Sequence, residues 1–296
     1  MTTHCNPFDP SGGLALGPGD LVLAAATLSP GGDTPLAVAI DAAVAGGFGG
    51  LSLWASTYVA ELAHGSSPAE LRQSVIDAGL VVDHVEAVIG WVGPGDPGGP
   101  YAEEATRSQV FEAGTALGAS LVSVLLFGPR GTSEDDAAEV FSGIAAEAEK
   151  HGLRAALEFA PGTAVRDVAT AARVTAPAPG GGILYDTWHA HFGPSTLADL
   201  EQVPGERILA VQVSDGPSER STDHAWATRR HRLVPGEGAA DPGGTIAALR
   251  ATGCRSPLTV EVFDDEMVAE LGPRPFAVRL HHSLRAACPS RPTEVR

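Results

Sequence analysis

The chain has 296 residues and sets 36 acidic side chains against 19 basic ones, a formal charge of −17. A surface that acidic repels phosphate backbones and anionic lipid, which argues against nucleic acid or a membrane surface as a partner. With 44% hydrophobic and 19% charged residues it can bury a sizeable core and does not read as disordered.

The opening stretch, MTTHCNPFDPSGG, has neither the basic nor the apolar region of a secretory signal. No apolar run approaches the ~20 residues that span a bilayer. Cys5, Cys254 and Cys288 form no CxxC pair, so reduced thiols and a cytoplasmic location are expected. Residues 1–19, rich in Gly, Pro and Asp, read as a flexible arm. One domain is expected over 20–288, with a short tail over 289–296.

From residue 21 the chain alternates short apolar runs with Ala-rich helical stretches. Strands are expected at 21–27 and 50–54, then a helix at 68–78 with Ser67 as its cap, Pro68 in the first turn and the acid Glu70 nearby. A strand at 81–89, a helix at 101–117 and a strand at 121–127 follow. The next helix, 134–151, opens behind Ser133 and closes at Gly152. Then come a strand at 154–159, a helix at 165–174, strands at 182–187, 208–214 and 258–263, and a last helix at 273–286. Most of the strand runs are continuously apolar, as parallel strands buried on both faces are. Eight strands alternating with helices over ~250 residues make the α/β class and a single (β/α)8 TIM barrel the expected fold. An open doubly wound sheet would usually carry a GxGxxG turn after its first strand, and none follows here.

In such barrels chemistry gathers at the C-terminal ends of the strands. The fifth run ends in Glu158, the sixth in Asp186 with His189 just beyond, the seventh holds Gln212, and the eighth ends in Glu261. Each acid alone could pair with an arginine or cap a helix. Together, carboxylates set inside neighbouring apolar runs are costly unless a cation compensates them, which suggests an oxygen-rich divalent site. His84 and Glu86 share a face of the third run. Trp54, Trp91 and Trp188 could wall a sugar-sized pocket or simply pack in the core.

The segments LEFAPGT, ILYDTWH, VQVSDGP, RHRLVPGEG and VEVF, in this order, resemble the sugar phosphate isomerase/epimerase group of xylose isomerase-like TIM barrels. That superfamily also includes ketose 3-epimerases, inosose dehydratases and endonuclease IV-type enzymes. The resemblance implies one divalent ion on Glu158, Asp186, Gln212 and Glu261, with Gln212 standing where the family usually has histidine. Hard ions suit such a set: Mn²⁺ or Mg²⁺, with Co²⁺ also suited. It further implies Glu158 and Glu261 as the catalytic pair, with His189 and Arg232 contacting substrate. Glu86 and Trp54 complete the expected substrate contacts.

The expected activity is isomerisation or epimerisation of a sugar or sugar-like polyol ketone, by removal of the proton α to a polarised carbonyl. A lyase that expels water from a keto-sugar or keto-cyclitol through the same enediolate is the alternative within enzymes. A non-catalytic carbohydrate-binding barrel is the alternative outside them, resting on Gln212. Endonuclease chemistry conflicts with the acidic charge. The expected partner is a small carbohydrate-like molecule; the sequence carries no signal for oligomeric state.

Overall fold

The structure, a computed structural model, describes residues 16–94, 105–129 and 131–288. Short runs of Leu, Val, Ile and Ala form strands β1 (Leu21–Ala24), β2 (Gly50–Trp54), β3 (Val81–Trp91), β4 (Leu121–Phe127), β5 (Arg154–Glu158), β6 (Gly182–Asp186), β7 (Ile208–Val213) and β8 (Leu258–Val260). All neighbours pair in parallel, and β1 pairs with β8, so the sheet closes into an eight-stranded barrel.

Helices follow the strands: α1 (Leu36–Gly46), α2 (Ala55–Ala63), α3 (Pro68–Asp77), α4 (Arg107–Leu117), α5 (Glu134–Lys150) and α6 (Val168–Thr175). The second half adds α7 (Thr187–Phe192), α8 (Leu197–Glu201), α9 (His224–Arg230), α10 (Pro242–Ala251), α11 (Asp265–Leu271) and α12 (Pro273–Ala287). This is the expected (β/α)8 barrel.

Local chemistry accounts for most boundaries. Ser67 is the expected cap of α3 and forms a capping box with Glu70, the Ser67 N–H donating to Glu70 Oε2 at 2.8 Å. Among the described residues seven helices are not among those expected, α1, α2 and α7 to α11, and the first two show why. The sequence of α1, LAVAIDAAVAG, is apolar on nearly every side and lacks a side-chain cap, so no polar stripe marks it. The other, α2, starts directly after Trp54, also without a side-chain cap. The first run leaves the sheet after Ala24 into a 3-10 turn, Ala25–Leu28, and the helix expected from 165 begins at Val168 behind the cap Asp167. The start of the helix expected from 101 lies outside the described residues, as do residues 1–15 of the expected arm, Cys5, and the tail 289–296. Residues 18 and 19 are tied to the barrel: Arg250 Nη2 donates to the Pro18 carbonyl at 3.0 Å and Arg285 Nη1 to that of Gly19 at 3.1 Å. Among the described residues no helix is long and apolar enough to cross a membrane.

Strand alternation divides the core in two. Ala155 and Leu157 of β5, and Ile183 and Tyr185 of β6, join the large cluster beneath the helices. Their alternates Ala156 and Leu184, with Leu121, Leu209 and Ala210, form a separate small cluster. Side chains of period two point to opposite faces, so this second cluster fills the lumen.

The segment between β7 and β8 is held by one buried acid. The Asp215 carboxylate accepts from the backbone N–H groups of Gly216, Gly236, Gly238 and Ala240 at 2.8, 2.9, 3.0 and 2.8 Å. Gly238 is required there, because an added Cβ would stand 2.4 Å from the Gly216 carbonyl oxygen. Asp215→Ala should therefore orphan four donors and cost about 3 kcal/mol, a fall of roughly 6–12 °C in the unfolding midpoint. A calorimetric midpoint within about 2 °C of wild type would show that water replaces the carboxylate.

Candidate active site

Two residues beyond the lumen cluster, the same strand faces turn polar. Glu158 follows Ala156 on β5, Asp186 follows Leu184 on β6, and Gln212 follows Ala210 on β7. Asp186 and Gln212 are register partners, and Glu261 stands just past the end of β8. The polar groups thus form a layer on top of an apolar plug, at the C-terminal mouth.

The contacts among them are short. His189 Nε2 lies 3.2 Å from Glu158 Oε1 and 3.6 Å from Asp186 Oδ2. One guanidinium nitrogen, Arg232 Nη1, reaches Asp186 Oδ2 at 2.9 Å and Glu261 Oε2 at 3.1 Å. Gln212 Nε2 donates to Glu261 Oε1 at 3.0 Å and to Glu86 Oε2 at 3.2 Å. On β3, His84 Nδ1 is 2.8 Å from Asp83 Oδ2 and its Nε2 is 3.3 Å from Glu86 Oε1. All of these residues are buried.

Burial disfavours charge, and the neighbours decide how each group answers. Burial alone would lower the His84 pKa, but hydrogen bonds to Asp83 and Glu86 outweigh it and push the imidazole up to about 10. Burial likewise opposes ionisation of Glu86, yet His84, with Ser52 and Gln212, holds it below the usual carboxylate range. Glu261 goes the other way. Its burial, with the nearby charges of Glu86, Asp186 and Glu158, raises its carboxyl well above the ordinary value despite Arg232.

A cavity of about 780 Å³ opens over this layer, and Trp54, Glu86, Glu158, His189, Arg232 and Glu261 line it. Asp186 and Gln212 are fully buried and do not line it. Trp188 does not reach the cavity either; it is buried behind Arg232, whose guanidinium stands 5.6 Å from its ring. His191 is occupied with the Pro217 carbonyl at 2.9 Å, and Glu237 pairs with Arg279 at 2.7 Å away from the mouth. Sequence reasoning did not find His224, Thr228 and Arg229 of α9, which line the same cavity. No strand-end pattern marks α9, because it sits within the long β7–β8 connection.

The donor set fits a divalent cation. Ligand atoms of Glu158, Asp186 and His189 lie within 4.8 Å of one another. The amide oxygen of Gln212 is buried with no hydrogen-bond partner among the described residues, an acceptor left over once Nε2 has been used. Four buried carboxylates, Glu86, Glu158, Asp186 and Glu261, face the Arg232 guanidinium and the shared charge of His84, an anionic excess that a hard cation would relieve. His189, expected as a substrate contact, comes within this donor cluster as well.

Residues 40–285 match the family model of the xylose isomerase-like TIM barrel. The chain belongs to this family. Within the xylose isomerase-like barrels it is 33% identical over 87 residues to a 3-dehydroshikimate dehydratase of Pseudomonas putida, a match spanning 29% of this chain and 14% of that protein. It is 28% identical over 133 residues to an inosose isomerase of Bacillus velezensis, spanning 44% of this chain and 46% of that one. The chain thus matches less than half the length of these curated relatives. Among solved structures, the IolI protein with a bound zinc atom superposes with a TM-score of 0.77 at 19% identity, covering 90% of this chain and 97% of that one. That likeness is one of fold.

Proposed function

We propose that the chain removes the proton α to the carbonyl of a polyhydroxylated ketone, and that loss of a β-hydroxyl as water completes the reaction. The observation that carries this reading is the 3.2 Å contact of Glu158 with His189, both on the cavity lining. Glu158 is the base and His189 the acid. As Glu158 takes the α proton, the C–H electrons form the enolate. When the enolate returns to a carbonyl, its electrons form the new C=C bond and the β C–O bond breaks. His189 delivers a proton to the leaving oxygen, so water departs and an unsaturated ketone remains. Proton transfer from Glu158 back to His189 across their contact restores both groups.

A divalent ion held by Glu158, Asp186, Gln212 and Glu261 would supply the positive charge that polarises the carbonyl. Trp54 offers an aromatic face to the C–H side of the substrate. Arg232, tied to Asp186 and Glu261, keeps those two carboxylates in place.

Isomerisation or epimerisation is the second reading, and one observation favours it. Glu261 lines the cavity together with Glu158 and would be the second carboxyl that returns a proton to the enolate. The inosose isomerase relative agrees with this outcome, and the dehydratase relative with water loss. A panel of ketoses and keto-cyclitols incubated in deuterated water separates the two. Enone absorbance without label in recovered substrate supports elimination. Interconversion with deuterium at the α carbon supports the second reading. Saturable binding of these compounds with neither result would leave a binding barrel.

The same panel tests the cation. Chelation followed by dialysis should lower turnover at least about tenfold, and Mn²⁺ should restore it. Gln212→His should tighten Mn²⁺ binding measured by calorimetry, since imidazole is the stronger donor. Full activity after chelation, with no Mn²⁺ binding to either protein, would leave Glu158 and His189 as a bare acid–base pair.

A further inference from the structure

The cavity is polarised. Its floor carries Glu86, Glu158 and Glu261, whereas Arg220, Arg229, Arg230 and Arg232 line the side built by the β7–β8 connection. Four of the chain's 19 basic residues thus border one cavity in a protein of charge −17. Arg232 holds Asp186 and Glu261, and Arg230 reaches Asp265 at 3.2 Å. Arg229 stands 5.7 Å from the centre of the Trp54 ring, also on the lining. Arg220 is exposed and makes no ion pair among the described residues.

His224 lines the same side. Its ring lies parallel to Trp188, 5.9 Å between centres and 3° between planes, with Phe192 edge-on at 5.3 Å. Both ring nitrogens are buried with no hydrogen-bond partner among the described residues. Burial first, then the charges of Arg220, His189 and Arg232, lower its pKa to about 4. A neutral imidazole among cations, with its N–H unused, is suited to donate to an anion.

We propose that the mouth takes an anionic substrate, a polyhydroxylated ketone bearing a carboxylate or a phosphate, with the anionic group against Arg220, Arg229 and His224 and the ketone over Glu158 and His189. The position of the ketone rests on the function proposed above; the preference for an anion does not. A charged group so placed gains charge-assisted hydrogen bonds from guanidinium forks, which match both carboxylate and phosphate oxygens. It also stays away from the acidic floor, which would repel it.

Calorimetry on the full chain with matched pairs tests this: 3-dehydroshikimate against its methyl ester, and fructose 6-phosphate against fructose. In at least one pair the charged member should bind about tenfold tighter than the neutral one. The pair that shows the preference identifies carboxylate or phosphate. Arg220→Ala should shrink that advantage and the Arg220→Ala/Arg229→Ala double variant should remove it. The neutral member should keep its affinity within about twofold in both, and added salt should weaken only the charged member. Arg220 is exposed, so its single variant remains informative if the double variant unfolds. Equal affinity within both pairs overturns the proposal, as does failure of all four compounds to bind, or an undiminished preference in Arg220→Ala. Tight binding of an anion without proton abstraction would sink the proposed reaction and leave the anion site standing.

Discussion

Glu158→Gln should lower kcat/KM by about 10³-fold while leaving the protein folded. The substitution keeps the shape of the side chain and removes the proton acceptor. It also removes one negative charge from a layer that holds Glu86, Asp186 and Glu261, so the unfolding midpoint should stay level or rise slightly. The His189 contact at 3.2 Å can persist as a hydrogen bond to the amide, which keeps the geometry and isolates the chemistry. Steady-state kinetics on whichever compound the wild type turns over provides the measurement. A rate within a factor of about ten of wild type would remove Glu158 from the role of base. Glu261→Gln is the companion variant. It should abolish interconversion if the second reading holds, and slow water loss less than Glu158→Gln does if the first holds.

Arg232→Met should cost about 4 kcal/mol, the range in which a buried ion pair loses one partner. Arg232 is only 2% exposed, and its Nη1 contacts two buried carboxylates at 2.9 and 3.1 Å, while Nε donates to the Thr228 carbonyl at 2.9 Å. Methionine fills much of the volume and supplies no charge, leaving Asp186 and Glu261 uncompensated beside each other. A drop of roughly 10 °C in the unfolding midpoint follows for a domain of this size. The conserved charge of Arg232→Lys should recover part of the loss, though a single ammonium cannot reproduce the fork. An unchanged midpoint in Arg232→Met would mean that the two carboxylates share a proton and do not depend on the guanidinium. The resemblance read from the sequence implies only a substrate contact for Arg232. The burial of both ion pairs places the larger effect on folding.

Much of the architecture is legible in the chain itself. Eight apolar runs of strand length, separated by helices with caps such as Ser67–Glu70 and Ser133, are enough for a closed barrel, because parallel strands need both faces covered and the helices cover one. Alternation does the rest along each strand. Once Leu157 and Tyr185 are taken as facing the helices, Glu158 and Asp186 must face the lumen, since side chains repeat with period two. The choice of strand-end acids therefore follows from local pattern.

The pairings do not. Arg232 sits in the run Arg229-Arg230-His231-Arg232, whose charge pattern alone does not say which side chain turns inward. Its inward turn depends on a connection pinned by Asp215, whose backbone partners lie up to 25 residues away. Gln212 and Glu86, 126 residues apart, meet across the lumen only because the sheet closes. His224 and the arginine rim face the cavity because α9 is folded back over the mouth. Composition and periodicity report what a residue's immediate neighbours impose on it, and so they determined the barrel and the inward-facing acids. Which guanidinium neutralises which carboxylate, and which imidazole is left neutral and unpaired, was decided by distances between segments far apart in the chain, which only the tertiary structure sets.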